Sequence, residues 1–249
     1  MTAAANPVKD NKIERTPRGR PVLGAKLGII ILDTRFQRFP GDIGNAGSFA
    51  FPVQYAVVRG VSLGADLKPD EATLKKFFQA VDDLVLLGVD GISTSCGFLA
   101  IMQPDLTNYS PVPVAASSLL QIPLIERVLP KGKRVGVLTA KKASLTAAHF
   151  HGVGAPADLP IAGMSDDTVF RQNLVSGNPR IDRDVQEREV LEVATGLLNE
   201  HPDIGALVLE CTTLSPYSDV IEKNLNVPVY DVITLLNWFQ AGLQPRRYA

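Results

Sequence analysis

The segment Ile204-Gly205-Ala206-Leu207-Val208-Leu209-Glu210-Cys211 decides the reading of this chain, because Val89-Asp90-Gly91-Ile92-Ser93-Thr94-Ser95-Cys96 is its counterpart in the first half. Each run ends at a cysteine, and the chain contains 2 cysteines. In both halves a Val-Pro-Val triplet begins 16 residues after the cysteine, at Val112 and at Val227. Each run follows an amphipathic stretch, and each half opens on a further apolar run, Leu27 to Leu32 and Arg134 to Thr139. A two-fold repeat of this kind faces one cysteine toward the other across a cleft. That suits a site needing a thiol on either side of one small molecule.

Working outward, short and continuously apolar runs read as parallel strands covered on both faces. Besides the two cysteine runs, the pattern predicts strands over 27–32, 112–116, 134–139, 161–164 and 227–230. Helical spacing predicts helices over 69–87, 117–129, 142–151, 182–199, 215–225 and 232–243, with a short helix after Cys96. In the first of these Leu74, Phe77, Phe78, Val81, Leu84 and Val85 share one face, and Pro69 suits its first turn. Strand and helix in alternation imply an α/β fold with parallel sheets and helices on both faces. Two segments lack any period. Residues 1–21 read as a flexible arm, and residues 33–51, with Pro40, Gly41, Gly44 and Gly47, read as a functional loop.

Composition removes several classes. A chain of 249 residues with 45% apolar content and net charge −1 is an ordinary globular protein that buries a sizeable core. It lacks the basic surplus that marks nucleic-acid binding. No apolar run approaches a membrane span of about 18 residues, and no signal-peptide segment opens the chain. The expected location is cytoplasmic. The 2 cysteines and 3 histidines form neither a disulfide framework nor a metal-ligand spacing, so no metal is expected.

In parallel sheets, ligands bind where strands end and loops enter the next helices. Both cysteines lie at such ends. Each precedes residues that open a helix, Gly97-Phe98-Leu99 and Thr212-Thr213-Leu214, so unpaired N–H groups point at the pocket. Those groups are expected to hold a carboxylate and to lower a thiol pKa from its ordinary value of about 8.5. Thr94, Ser95, Thr212 and Thr213 add hydroxyl groups there. A lone buried cysteine at a strand end is more often a small hydrophobe than a catalyst. The equal spacing in both halves favours function for the pair.

At these residues the chain resembles the aspartate/glutamate racemase superfamily, with Thr94-Ser95-Cys96 and Leu209-Glu210-Cys211-Thr212 carrying the two-cysteine framework. The resemblance covers nearly everything after the arm. It implies two similar α/β/α lobes related by pseudo-two-fold symmetry, residues 22–117 with 227–249 and residues 118–226, with the active site in the cleft between them. It also implies a homo-oligomer. Cysteines from opposite lobes exchange a proton with the carbon next to a carboxylate, without cofactor, which puts Cys96 and Cys211 in acid/base roles and Thr212 at the substrate carboxylate. Gly97-Phe98 and Thr212-Thr213 stand where glutamate racemases usually carry Asn-Thr and Thr-His. Together with Pro40-Gly41-Asp42-Ile43 and Gly47-Ser48-Phe49, they look more like the Alma-type, dimethylsulfoniopropionate-lyase-like branch.

The expected function is therefore a cofactor-independent amino-acid racemase acting next to the carboxylate of a small acid. Elimination from a dimethylsulfoniopropionate-like substrate is the alternative within enzymes, and a two-lobed small-acid binding protein with inert cysteines is the alternative outside them. Facing thiols favour an enzyme, since carboxylate binding needs amides and hydroxyls but no thiol pair. The expected substrate contacts are Thr94, Ser95, Gly97, Phe98, Thr212 and Thr213, joined by Asp42 and Asn45 from the long loop, although Asp and Asn near glycines equally form turns. Arg35 and Arg38 read first as solvated loop arginines. Glu210 alternates away from Cys211 along a strand and divides evenly between structural pairing and the site. Tyr217 reads as core or pocket wall, and His149 as structural.

Overall fold

The computed structural model describes residues 19–61, 69–176 and 182–248, so most of the expected N-terminal arm lies outside the described residues. The first run forms β1 (Leu27–Leu32), followed by β2 (Val53–Val58), α1 (Glu71–Leu87), β3 (Gly91–Thr94), α2 (Gln103–Tyr109) and β4 (Val114–Ala115). The second half gives α3 (Ile122–Val128), β5 (Arg134–Thr139), α4 (Ala147–Gly152), β6 (Ile161–Gly163), α5 (Val169–Ser176) and α6 (Arg183–Glu200). It closes with β7 (Ile204–Leu209), α7 (Ser218–Leu225), β8 (Val229–Tyr230) and α8 (Val232–Leu243). All strand pairs are parallel. The two sheets run β2-β1-β3-β4 and β6-β5-β7-β8, so the strand order of the first half is repeated in the second.

β1 is buried along nearly its whole length, because helices cover both faces of its sheet. On one face Phe77, Val81 and Leu84 of α1 pack with Ile30 and Ile92. On the other, Val232 and Leu236 of α8 pack with Leu27 and Ile29. The second sheet is covered likewise, by α5, α6 and α7 on one side and by α3 and α4 on the other. The helix after the fourth strand of each sheet crosses to the opposite sheet. Leu119, Ile122 and Ile125 pack with Val135, Val137 and Val208, while α8 returns to the first. The strand Val229–Tyr230 pairs with β7, so the return follows Tyr230 and not residue 227, as the sequence had suggested.

The loop from Asp33 to Pro52 is largely irregular, as its glycines and prolines suggest, with one short 3-10 turn at Ala46–Ser48. It reaches the second half of the chain. Gly41 has a φ of 100°, and a Cβ there would sit 2.8 Å from the Cα of Pro216. Only glycine meets both the conformation and the approach. Sequence reading missed β2 and α5. β2 is an edge strand with mostly half-buried residues, so its side chains do not show the burial pattern of β1.

Candidate active site

Both cysteines stand two residues beyond a strand end, where β3 and β7 leave their sheets. Ser95 N–H donates to Ile30 O at 2.9 Å, and Glu210 N–H donates to Leu138 O at 2.7 Å. The two turns are thus anchored alike, each on the central strand of its sheet. They also touch. The Thr212 hydroxyl donates to Ser95 O at 2.9 Å across 117 residues of sequence, and Gly97 abuts Glu210. Cys96 and Cys211 are free and half-buried, and each is close enough to Glu210 to feel its charge. Cys96 also feels the charge of Cys211.

The expected lowering of the thiol pKa is corrected by the structure. Burial raises the Cys96 thiol far above its ordinary value, and the charges of Glu210 and Cys211 raise it further; N–H groups of Phe98 and Leu99 oppose this and lose. Burial and Glu210 push Cys211 up to about 12, against hydrogen bonding from Thr213, whose Oγ1 lies 3.0 Å from the sulfur. The turn amides do point at sulfur, as the sequence implies. Desolvation and a neighbouring carboxyl outweigh them because both disfavour the charged form.

Glu210 supplies that carboxyl. It is 1% exposed, its Oε2 accepts from the Thr139 hydroxyl at 2.6 Å, and its Oε1 is buried with no hydrogen-bond partner. Burial raises it to about 7, the Thr139 hydrogen bond pulling the other way. A Cβ at position 97 would collide with its carbonyl oxygen and with Oε1. Glycine at 97 is thus what lets the carboxyl lie between the lobes. The sequence left Glu210 undecided and passed over Thr139. The available signal was one carboxylate at the end of an otherwise apolar run.

Other expected contacts divide. Thr94 donates to Ala116 O at 2.6 Å and Ser95 Oγ accepts from Leu32 N–H at 3.0 Å, so both hydroxyls brace strand ends. Thr213 touches a sulfur. Phe98 lies edge-on to His149, ring centroids 5.6 Å apart. Asp42 is fully buried; Oδ1 takes Arg38 Nη1 at 2.7 Å and Gly44 N–H at 2.6 Å, while Oδ2 is buried without a hydrogen-bond partner. Burial raises its pKa against the pull of Arg38, and its charge reaches Cys211. Asn45 uses both side-chain amide atoms on the loop, at Arg38 O and Gly47 N–H, as a turn former does. Arg38 is held by Asp42 and Thr34, whereas Arg35 is exposed. Tyr217 is buried in the core with its hydroxyl on Gln186.

Among the described residues no group of His, Cys, Asp and Glu is placed to hold a metal ion, and no helix is long and apolar enough to cross a membrane. A shallow groove lined by Arg188, Leu191, Glu192, Thr195, Gly196 and Asn199 follows one face of α6. It contains none of the groups described above.

No known family model matches the chain. A dimethylsulfoniopropionate lyase of Durusdinium sp. clade D is 30% identical over 229 residues, covering 88% of this chain and 75% of that protein. Among solved structures, arylmalonate decarboxylase superposes with a TM-score of 0.61 at 15% identity, covering 87% of this chain and 92% of that one. Allantoin racemase from Klebsiella pneumoniae superposes with a TM-score of 0.61 at 15% identity, covering 88% and 87%.

Proposed function

Because the chain belongs to the aspartate/glutamate racemase superfamily, in its dimethylsulfoniopropionate-lyase-like branch, we propose that it is a cofactor-independent lyase that removes a proton next to a carboxylate and expels a β-leaving group. Dimethylsulfoniopropionate is the first substrate to test. A thiolate takes the α-proton, the C–H electron pair forms the C=C bond of acrylate, and the C–S bond breaks with its pair leaving on dimethyl sulfide. Cys211 is the candidate base. The Thr213 hydroxyl beside its sulfur favours the thiolate by hydrogen bonding to it. Cys96 stands as the second acid/base group.

The observation that carries this reading is the meeting of two half-buried thiols with one buried carboxyl at two strand ends, in a chain similar over most of its length to a lyase. That similarity supports elimination ahead of the racemisation expected from sequence. The test is incubation with dimethylsulfoniopropionate, following dimethyl sulfide in the headspace and acrylate in solution. Equal amounts of both are expected, with Cys211→Ser slower by about 10²- to 10⁴-fold, the usual contribution of a general base. If neither product forms, while a panel of amino acids in D2O loses its α-proton signal, racemisation replaces elimination.

A further inference from the structure

We propose that Glu210 is a positioning residue that gates the two thiols through its own proton: with the carboxyl neutral both thiols ionise more readily, and with the carboxyl charged both hold their protons more tightly. This rests on the reading of Cys96 and Cys211 as the acid/base pair. The geometry carries it. Glu210 immediately precedes Cys211, packs across the lobe boundary on Gly97, next to Cys96, and is almost entirely removed from water. One oxygen is held by Thr139. The other is buried with no hydrogen-bond partner, an arrangement that suits a carboxylic acid better than a carboxylate. Among the described residues no Lys, Arg or His side chain donates to Glu210; its side-chain donor is the neutral Thr139 hydroxyl.

The surroundings fix the sign. The elements packed against Glu210 are the end of β5, which brings Thr139, the turn opening at Gly97, and the turn at Ser118, whose hydroxyl lies 3.5 Å from Glu210 O. The titratable groups facing it are Cys96 and Cys211, and its charge disfavours ionisation of both. Asp42 adds a further negative charge at Cys211. Arg38 is committed to Asp42 and Thr34. In a low-dielectric pocket, like charges on neighbouring groups disfavour one another. Neutralising Glu210 removes one of the forces that hold the thiols protonated, burial being the larger, and burial places the carboxyl near neutrality, about 7, where that change occurs.

Alkylation with iodoacetamide across pH, read separately for each cysteine by mass spectrometry, tests the gate without requiring turnover. In folded Glu210→Gln both thiols should label about tenfold faster at pH 8 than in the wild type, equal to a downward shift of about one pH unit. Unchanged labelling of both thiols in the folded variant overturns the proposal. Infrared titration of the wild-type chain gives a second, independent reading should Glu210→Gln not fold. A carboxylic-acid C=O band titrating near pH 7 is expected, moving upward in Thr139→Val, which loses a hydrogen bond to the charged form. A spectrum whose only carboxyl bands titrate in the ordinary range, in both proteins, overturns it. Should the chain prove inactive on dimethylsulfoniopropionate while these shifts appear, the lyase reading fails and the gate stands.

Discussion

Gly97 and Glu210 show how one side chain's absence makes another's place. A methyl group at 97 would strike both the carbonyl and the carboxyl of Glu210, and a main-chain atom cannot swing aside as a flexible side chain does. Gly97→Ala is expected to destabilise the fold by about 1–3 kcal/mol, the usual range for overpacking. It should also lower turnover of any established substrate at least tenfold by parting the two cysteine turns. Urea titration and initial rates check the two effects, and wild-type values in both would contradict the close contact. Asn45 shows the reverse. Its residue type fits a ligand contact and a turn equally well, and the hydrogen bonds to Arg38 and Gly47 put its polar atoms to use in the turn.

At the scale of elements, α8 is the strap between the halves. Asp231 caps it: Oδ1 accepts from Thr234 N–H at 2.8 Å, the Thr234 hydroxyl takes Asp231 N–H at 2.8 Å, and Ser218 donates to Oδ2 at 2.6 Å. The cap lies between β8 in the second sheet and a helix packed on the first. Loss of a buried cap costs about 1–2 kcal/mol. Asp231→Ala should therefore lower unfolding stability by at least that much, since Ser218 also loses its acceptor. Asp231→Asn should retain the Oδ1 bonds and most of the stability. Equal losses in both variants would point away from the cap. Most helices were legible because apolar spacing and stop signals agree, as in α1, whose end at Gly88 has a φ of 93°, whereas α5 was missed. β2 was missed too, since an edge strand carries mixed, half-buried residues.

For the whole molecule, buried acids with raised pKa values give stability a definite pH dependence. Glu210 is ionised above its ordinary 4.5 when unfolded but only above about 7 when folded, so between those values the folded state holds an extra proton. Stability is then full below 4.5 and is lost as pH rises through 7, by about 3 kcal/mol for this group. Asp42, Asp231, Cys96 and Cys211 are shifted in the same direction. Asp90 runs oppositely: its hydrogen bond with Arg20, aided by Lys26, lowers it to about 2, so its contribution is present above 3.8 and lost as pH falls through 2. Urea denaturation should give a lower unfolding free energy at pH 8 than at pH 5. Glu210→Gln should narrow that gap. A gap unchanged by the substitution would show that Glu210 is not the titrating group.

The sequence by itself determined the two-fold repeat, the parallel strands beginning at Leu27 and Arg134, and the position of both cysteines at strand ends, because periodicity and spacing are local properties that survive in a linear string. It also marked the loop at Pro40 to Gly47. Tertiary structure alone decided that Val229–Tyr230 stays with the second sheet while α8 returns to the first, and that Glu210 meets Gly97. It also reversed the expected thiol acidity. Whether turn amides or desolvation governs a sulfur depends on which groups from distant parts of the chain exclude water and bring charge to it, and Thr139, Glu210 and Asp42 come together only when the chain folds.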